Sequence, residues 1–189
     1  EEAKQRVIDI FRAVGIPEPE KRYRSYPHQL SGGLRQRVMI GMAMVCRPKV
    51  MIADEPTTAL DVTIEAQILQ LMKKLCEEQE TSIILITPNM GVVAEICDYV
   101  YVMYAGRVME QAETFELFDH TAHPYTKGLL KSIPKLDGQE DRLYTIEGVV
   151  PNLLHLPKGC RFCTRCECAT ERCLSLIHIS EPTRLRCIS

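Results

Sequence analysis

An α/β fold built on a parallel sheet is predicted by three features of this sequence. Short uninterrupted apolar runs, VMIA at 50–53 and SIILIT at 82–87, alternate with amphipathic helical stretches. The first run ends in two adjacent carboxylates, Asp54 and Glu55, and a Ser31-Gly32-Gly33 turn opens the helical stretch before it. Ligands of open α/β sheets bind at the carboxyl ends of the strands, which is where Asp54 and Glu55 fall.

The elements follow in order. EEAKQRVIDIFRAVGI places Val7, Ile10, Phe11 and Val14 at helical spacing, and Gly15 and Pro17 stop the helix. The polar stretch EPEKRYRSYPHQL is a Pro-broken connection. A helix from about Leu34 to Cys46 follows the Ser-Gly-Gly turn, and Pro48 fixes the next boundary. Val50–Ala53 reads as a short buried strand. VTIEAQILQLMKKLCEEQ is an amphipathic helix with Ile64, Ile68, Leu71 and Leu75 on one face. SIILIT is a second buried strand, MGVVAEIC a short helix, and DYVYVMYAGRVME a hairpin turning at Ala105-Gly106.

Composition sets outer limits. The chain has 189 residues and a formal net charge of -2, enough for one ordinary domain with an appendage. That balance makes no bulk-charge case for nucleic acid as a partner. No apolar run reaches the ~18 residues of a membrane span, and no signal peptide is visible, so the chain is expected to be soluble in itself. Of nine cysteines, Cys46, Cys76 and Cys97 sit singly in apolar surroundings and read as buried thiols of a reducing compartment. The other six fall after position 159.

The chemistry of the opening features is coherent. A Ser-Gly-Gly turn at a helix start presents unpaired backbone N–H groups under the positive end of the helix dipole, which suits a phosphate. An Asp at a strand end is placed to serve Mg²⁺, and a Glu one residue on can orient or activate water. Phosphoryl transfer to water needs no covalent nucleophile, so this combination suits nucleotide hydrolysis. Each feature alone has an ordinary alternative: a capped helix start, or a solvated turn. Their joint order and spacing are what point to chemistry.

LSGGLRQRV, VMIADEPTTALD and SIILIT resemble, in order, the signature motif, the Walker B strand with its D-loop, and the strand before the switch loop of ABC-type ATPases, over about Pro27–Glu110. HPYTKGLLKSIP at 123–134 and GVVPNLLHLPKGCRFCTRC resemble the C-terminal extension of the ATP-binding subunits of oligopeptide and dipeptide importers. The resemblance implies a P-loop NTPase nucleotide-binding domain, N-terminally incomplete, with a small irregular Cys-containing C-terminal extension. It implies ATP and Mg as cofactors. Ser31, Gly32 and Gly33 would contact the γ-phosphate of ATP on the opposite subunit, with Gln36 nearby. Asp54 would serve Mg²⁺, Glu55 the hydrolytic water, and Asp61 a D-loop contact across the dimer. The Walker A loop and Q-loop are absent from these residues, so this chain by itself is expected to show no ATPase activity.

Two departures stand out. The family carries a switch histidine after SIILIT, where this chain has Pro88 and then Asn89. Proline offers no side-chain donor and no backbone N–H. Either the sequence is in error there, or the subunit's own site is weakened within a heterodimer. The segment GCRFCTRCECATERC places Cys160, Cys163 and Cys166 as C-x2-C-x2-C, with Cys168 and Cys173 after them. The spacing opens like an iron–sulfur run but departs from it later, and zinc is the alternative. Reduced surface thiols are the plain reading. Leu174–Ser189, including Cys187, shows no periodicity, resembles translated adaptor sequence and is set aside as a non-native tail.

The expected organisation is therefore 1–48, the end of a helical subdomain with the signature motif; 49–112, the Walker B, D-loop and switch-loop part of the core; and 113–173, the importer-type extension. The expected function is the ATP-hydrolysing subunit of a peptide importer, peripheral on the cytoplasmic face of the cell membrane. Its partners would be transmembrane permease subunits, a second ATP-binding subunit and, indirectly, a peptide-binding protein. The alternatives are a soluble non-transport ABC ATPase and a metal- or redox-sensing module.

Overall fold

In the computed structural model, residues 1–58, 60–133 and 144–175 are described. The chain folds as two units, one up to Pro88 and one from Asn89 onward.

In the first unit, α1 (Glu2–Ala13) stops at Val14, and Gly15 follows with φ 72°. A Cβ at Gly15 would lie 2.9 Å from the Arg37 guanidinium, which donates to the Val14 carbonyl at 2.8 Å. That bond ties α1 to α3 (Gly32–Met44). The polar connection between them holds a one-turn helix, α2 (Pro19–Arg22), and a tight turn at Pro27–Gln29. α3 begins two residues before the expected Leu34, because Ser31 caps it and leaves both glycines in its first turn. β1 (Val50–Asp54) and β2 (Ser82–Ile86) pair in parallel, with Val50 opposite Ser82 and Asp54 opposite Ile86. α4 (Val62–Gln79) forms the crossover between them. The core gathers Val14 and Ile16, Ile40 and Met44 of α3, Met51 and Ala53 of β1, and Ile68, Met72, Leu75 and Cys76 of α4.

The strands depart from expectation on one point. Their apolar runs predict burial on both faces, yet burial alternates along β1. Met51 and Ala53 face the core, while Val50, Ile52, Ile84 and Ile86 are 49–68% exposed. The helices of this unit cover one face only. Cys46 also departs: it is exposed, whereas Cys76 is buried and Cys97 half-buried.

The second unit opens with α5 (Met90–Ile96), followed by the antiparallel hairpin β3 (Tyr99–Tyr104) and β4 (Arg107–Glu113). Its turn residues Ala105 and Gly106 have φ of 46° and 77°, the left-handed pair of a tight two-residue hairpin loop. α6 (Thr114–Asp119) and α7 (Pro124–Lys131) follow, and α8 (Glu171–Ser175) ends the described residues. α8 extends into the stretch set aside as tail; 176–189, with Cys187, lies outside the described residues. Val93, Val100, Val102 and Leu117 form one core cluster, and Tyr104, Cys160, Phe162 and Cys163 another. Among the described residues no helix is long and apolar enough to cross a membrane.

Candidate functional site

The Ser31 side chain accepts the Leu34 N–H at 3.4 Å, so Ser31 is the N-cap of α3. The first-turn N–H groups of Gly32 and Gly33 have no acceptor within the helix. A Cβ at Gly33 would meet Ile64 Cγ2 at 3.1 Å, and one at Gly32 would lie 3.7 Å from Leu60. The start of α3 therefore packs on the start of α4, where Asp61 Oδ1 accepts the Ile64 N–H at 3.0 Å. Two helix N-termini, capped by Ser31 and Asp61, lie together. Gln36, half-buried, follows Gly32 and Gly33 at helical spacing on α3.

Asp54 is the exposed last residue of β1. Glu55 takes φ 44°, a left-handed conformation that non-glycine residues adopt rarely. Its N–H donates to the Ile86 carbonyl at 2.9 Å, extending the parallel pairing by one residue. Its Oε2 accepts the Thr58 hydroxyl at 2.8 Å. Thr57 Oγ1 in turn donates to Glu65 Oε1 of α4 at 2.6 Å. The loop after β1 thus runs from the acidic pair to the signature turn and is pinned at both ends. Sequence reading does not single out Thr57, Thr58 or Glu65; a hydroxyl three residues after an acid is a signal that marks Thr57 and Thr58, and nothing local marks Glu65.

Pro88 is exposed two residues beyond β2. Asn89 caps α5 in the second unit, its Oδ1 accepting the Gly91 N–H at 3.0 Å.

The His123-Pro124-Tyr125 stretch lies in the second unit. Both oxygens of Glu110 accept backbone N–H groups, from Ala122 at 2.7 Å and His123 at 3.2 Å. His123 Nδ1 accepts the Tyr125 N–H at 3.1 Å and so caps α7. Burial holds the His123 pKa below its ordinary value, with Glu110 pulling the other way. The Phe162 ring lies 5.3 Å from Tyr104, 5.3 Å from Tyr125 and 5.9 Å from His123. Cys160 and Cys163 are buried in this aromatic cluster, and Cys166 and Cys173 pack against it. The Cys160 N–H donates to the Cys173 carbonyl at 2.8 Å. Gly159 permits that approach, since a Cβ there would lie 2.0 Å from the same oxygen. Burial pushes the Cys160 thiol up, whereas Thr170 beside Cys173 holds its thiol down.

The predicted cysteines therefore converge. An iron–sulfur cluster or zinc is one possibility for Cys160, Cys163, Cys166 and Cys173 beside reduced thiols; among the described residues no group of three or more His, Cys, Asp or Glu is arranged to hold a metal ion. Cys160 and Cys163 pack with Phe162 in one buried cluster.

Residues 2–58 match the family model for the ABC transporter, and residues 109–173 match that for the oligopeptide/dipeptide transporter, C-terminal region. The oligopeptide transport ATP-binding protein OppD of Haemophilus influenzae is 58% identical over 166 residues, covering 88% of this chain and 51% of that protein. AppD of Bacillus subtilis, an oligopeptide transport ATP-binding protein, is 55% identical over 91% of this chain and 52% of its own length. OppD of Escherichia coli is 52% identical over 98% of this chain and 56% of its own. The chain spans about half the length of the curated relatives it matches. Among solved structures, cbiO1 of Clostridium perfringens, part of the ABC transporter complex cbiONQ, aligns with a TM-score of 0.55 at 35% identity. That alignment covers 63% of this chain and 46% of cbiO1.

Proposed function

From the premise that the chain belongs to the ABC-type ATPases that carry the oligopeptide/dipeptide transporter C-terminal region, we propose that it supplies part of the ATP-hydrolysing subunit of a peptide importer. The supporting observation is the loop after β1, which carries Glu55 at one end and meets the signature turn at the other. In this reading 1–48 belongs to the helical subdomain, 49–112 to the ATPase core and 113–173 to the importer-type extension.

The residues fit nucleotide and metal by their chemistry. Asp54, exposed at a strand end, offers Mg²⁺ a carboxylate, and the first-turn N–H groups of Gly32 and Gly33 offer a phosphate donors. Bound Mg²⁺ supplies charge neutralisation on the phosphates. Ser31–Gly33 and Gln36 serve ATP held mainly by a second ATP-binding subunit, and Asp61 lines the same junction. Glu55 orients the water and takes its proton. Hydrolysis resets a two-subunit closure that drives transmembrane permease subunits fed by a peptide-binding protein. The subunit works at the cytoplasmic face of the cell membrane.

A second reading of the extension rests on the chemistry of its cysteines. Cys160 and Cys163 are buried in the cluster with Tyr104 and Phe162, and Cys166 and Cys173 pack against it. Thiolates of that number suit an iron–sulfur cluster or zinc, though their described arrangement does not fit either.

The test is Glu55→Gln in a subunit completed with the N-terminal part of the Haemophilus influenzae relative and purified in its transporter complex. ATP binding should persist while hydrolysis slows by orders of magnitude and peptide uptake stops. Unchanged turnover would remove Glu55 from the role and the reading with it.

A further inference from the structure

We propose that Thr58 is a positioning residue for Glu55, its hydroxyl holding the carboxylate in the orientation that faces water. The inference rests on the reading of Glu55 as the residue that activates that water.

The backbone at Glu55 is fixed twice. Its left-handed φ of 44° costs about 1–3 kcal/mol, so the surroundings must hold it. The Ile86 carbonyl supplies one hold, accepting the Glu55 N–H at 2.9 Å. The second is a turn in which the Thr58 N–H donates to the Glu55 carbonyl at 3.2 Å. Fixing the backbone does not fix the carboxylate, because an exposed glutamate side chain turns about three torsions. The Thr58 hydroxyl, 2.8 Å from Oε2, supplies that last constraint. It engages one oxygen and leaves Oε1 as the oxygen that can face a water. Threonine is suited to this, since its branched Cβ leaves little freedom at χ1.

The residue before Thr58 is itself braced. The Leu60 N–H donates to the Thr57 carbonyl at 3.1 Å, and the Thr57 hydroxyl reaches Glu65 on α4. The path Ile86–Glu55–Thr58 and the neighbouring Thr57–Glu65 bond thus connect the end of β2 to the first turns of α4. The carboxylate is oriented by the loop that meets the signature turn, so a shift of that loop would turn Glu55 away from its working position.

The experiment compares Thr58→Val, which keeps shape and removes the hydroxyl, with Thr58→Ser, which keeps the hydroxyl. Both are made in the completed subunit within its transporter complex. For valine we expect kcat to fall about tenfold while KM and directly titrated ATP affinity stay unchanged, the pattern of an interaction that acts only in the transition state. Serine should return kcat to within about twofold of the parent. Placed on Glu55→Gln, Thr58→Val should slow single-turnover hydrolysis no further, because both changes disable one unit.

Wild-type kcat in Thr58→Val, failure of serine to restore it, or an independent tenfold loss on top of Glu55→Gln would each overturn the proposal. Full activity of Glu55→Gln alone would instead overturn the reading beneath it. Hydrogen exchange at the Thr58 amide reports whether the turn survives substitution. If valine breaks the turn, Thr58→Ala carries the same comparison.

Discussion

The ring of Phe162 meets that of Tyr104 edge-on, with centroids 5.3 Å apart and planes at 87°. Tyr125 closes the other side, tilted at 51°. One phenylalanine between two cysteines thus joins three separate stretches: the end of β3, the start of α7 and the cysteine segment. Arg165 reinforces the join, donating to the carbonyls of Ile146 at 2.6 Å and Glu147 at 2.7 Å and to the Tyr104 hydroxyl at 3.3 Å.

Phe162→Ala should therefore destabilise the unit from Asn89 onward by about 3–5 kcal/mol, the cost of emptying a packed aromatic site. Phe162→Leu should cost less than half of that. Urea denaturation with hydrogen exchange read at the α7 amides checks both. A loss under about 1 kcal/mol for alanine would mean that the cysteine segment is held by Arg165 and Cys173 rather than by the ring.

His123 makes the stability of the second unit depend on pH. Its folded pKa is depressed, chiefly by burial and against the pull of Glu110. Above its ordinary value of about 6.5 the ring is neutral in both states and its contribution is complete. As pH falls through that value the unfolded chain takes up the proton first, so stability drops until the folded ring titrates too. The slope cannot exceed about 1.4 kcal/mol per pH unit for one group. Protonation also turns Nδ1 from an acceptor into a donor, which breaks the cap on the Tyr125 N–H. His123→Asn keeps a capping oxygen and removes the titration. The stability of wild type relative to His123→Asn, measured from pH 7 to pH 5, should fall, most steeply below about 6.5; a constant difference would mean that His123 does not titrate in this range.

Much of the site was legible because its signals are local. An apolar run followed by Asp54 and Glu55 marks a strand end in any packing. Ser31-Gly32-Gly33 marks a helix start, and only its first helical residue was misplaced. What a run of apolar residues cannot state is which face is covered: Val50 and Ile52 read like Met51 and Ala53, yet only the latter pair meets α4. The Phe162 cluster was illegible for a different reason, since Tyr104, Tyr125 and Phe162 lie far apart in sequence and meet only through tertiary packing. Thr58 falls between these cases. It is local, but its role depends on a left-handed Glu55 that no pattern of residue types announces.

The cysteines yield a further prediction. If the segment holds metal, anaerobically purified protein should carry iron with a brown chromophore, or zinc by elemental analysis, and Cys160→Ser or Cys166→Ser should remove it. Metal-free protein in which Cys160 and Cys163 stay buried around Phe162 would leave packing as the role of the segment. Thiol labelling separates the two outcomes, because ligated sulfurs resist alkylation until the metal is stripped, whereas packed ones yield at the rate of local opening.

The last prediction concerns Pro88, the position at which the resemblance to ABC-type ATPases implies a histidine. Asn89 follows it: its side-chain oxygen caps α5 through the Gly91 N–H, and its amide nitrogen is a donor by chemistry. Losing one well-placed catalytic hydrogen bond costs about 2.7–4 kcal/mol, or roughly a hundred- to thousandfold in rate. In the completed subunit, beside a partner whose own catalytic Glu is disabled, Pro88→His should raise single-turnover hydrolysis toward that factor. Proline also holds Thr87 in an extended geometry, so the backbone before position 88 gains freedom when it is replaced, and the full factor is an upper bound. Asn89→Ala serves as the control: it should loosen the start of α5 without altering the gain. Equal rates for proline and histidine would mean that the γ-phosphate has its donor elsewhere in the site, and the weakened-site reading would fall.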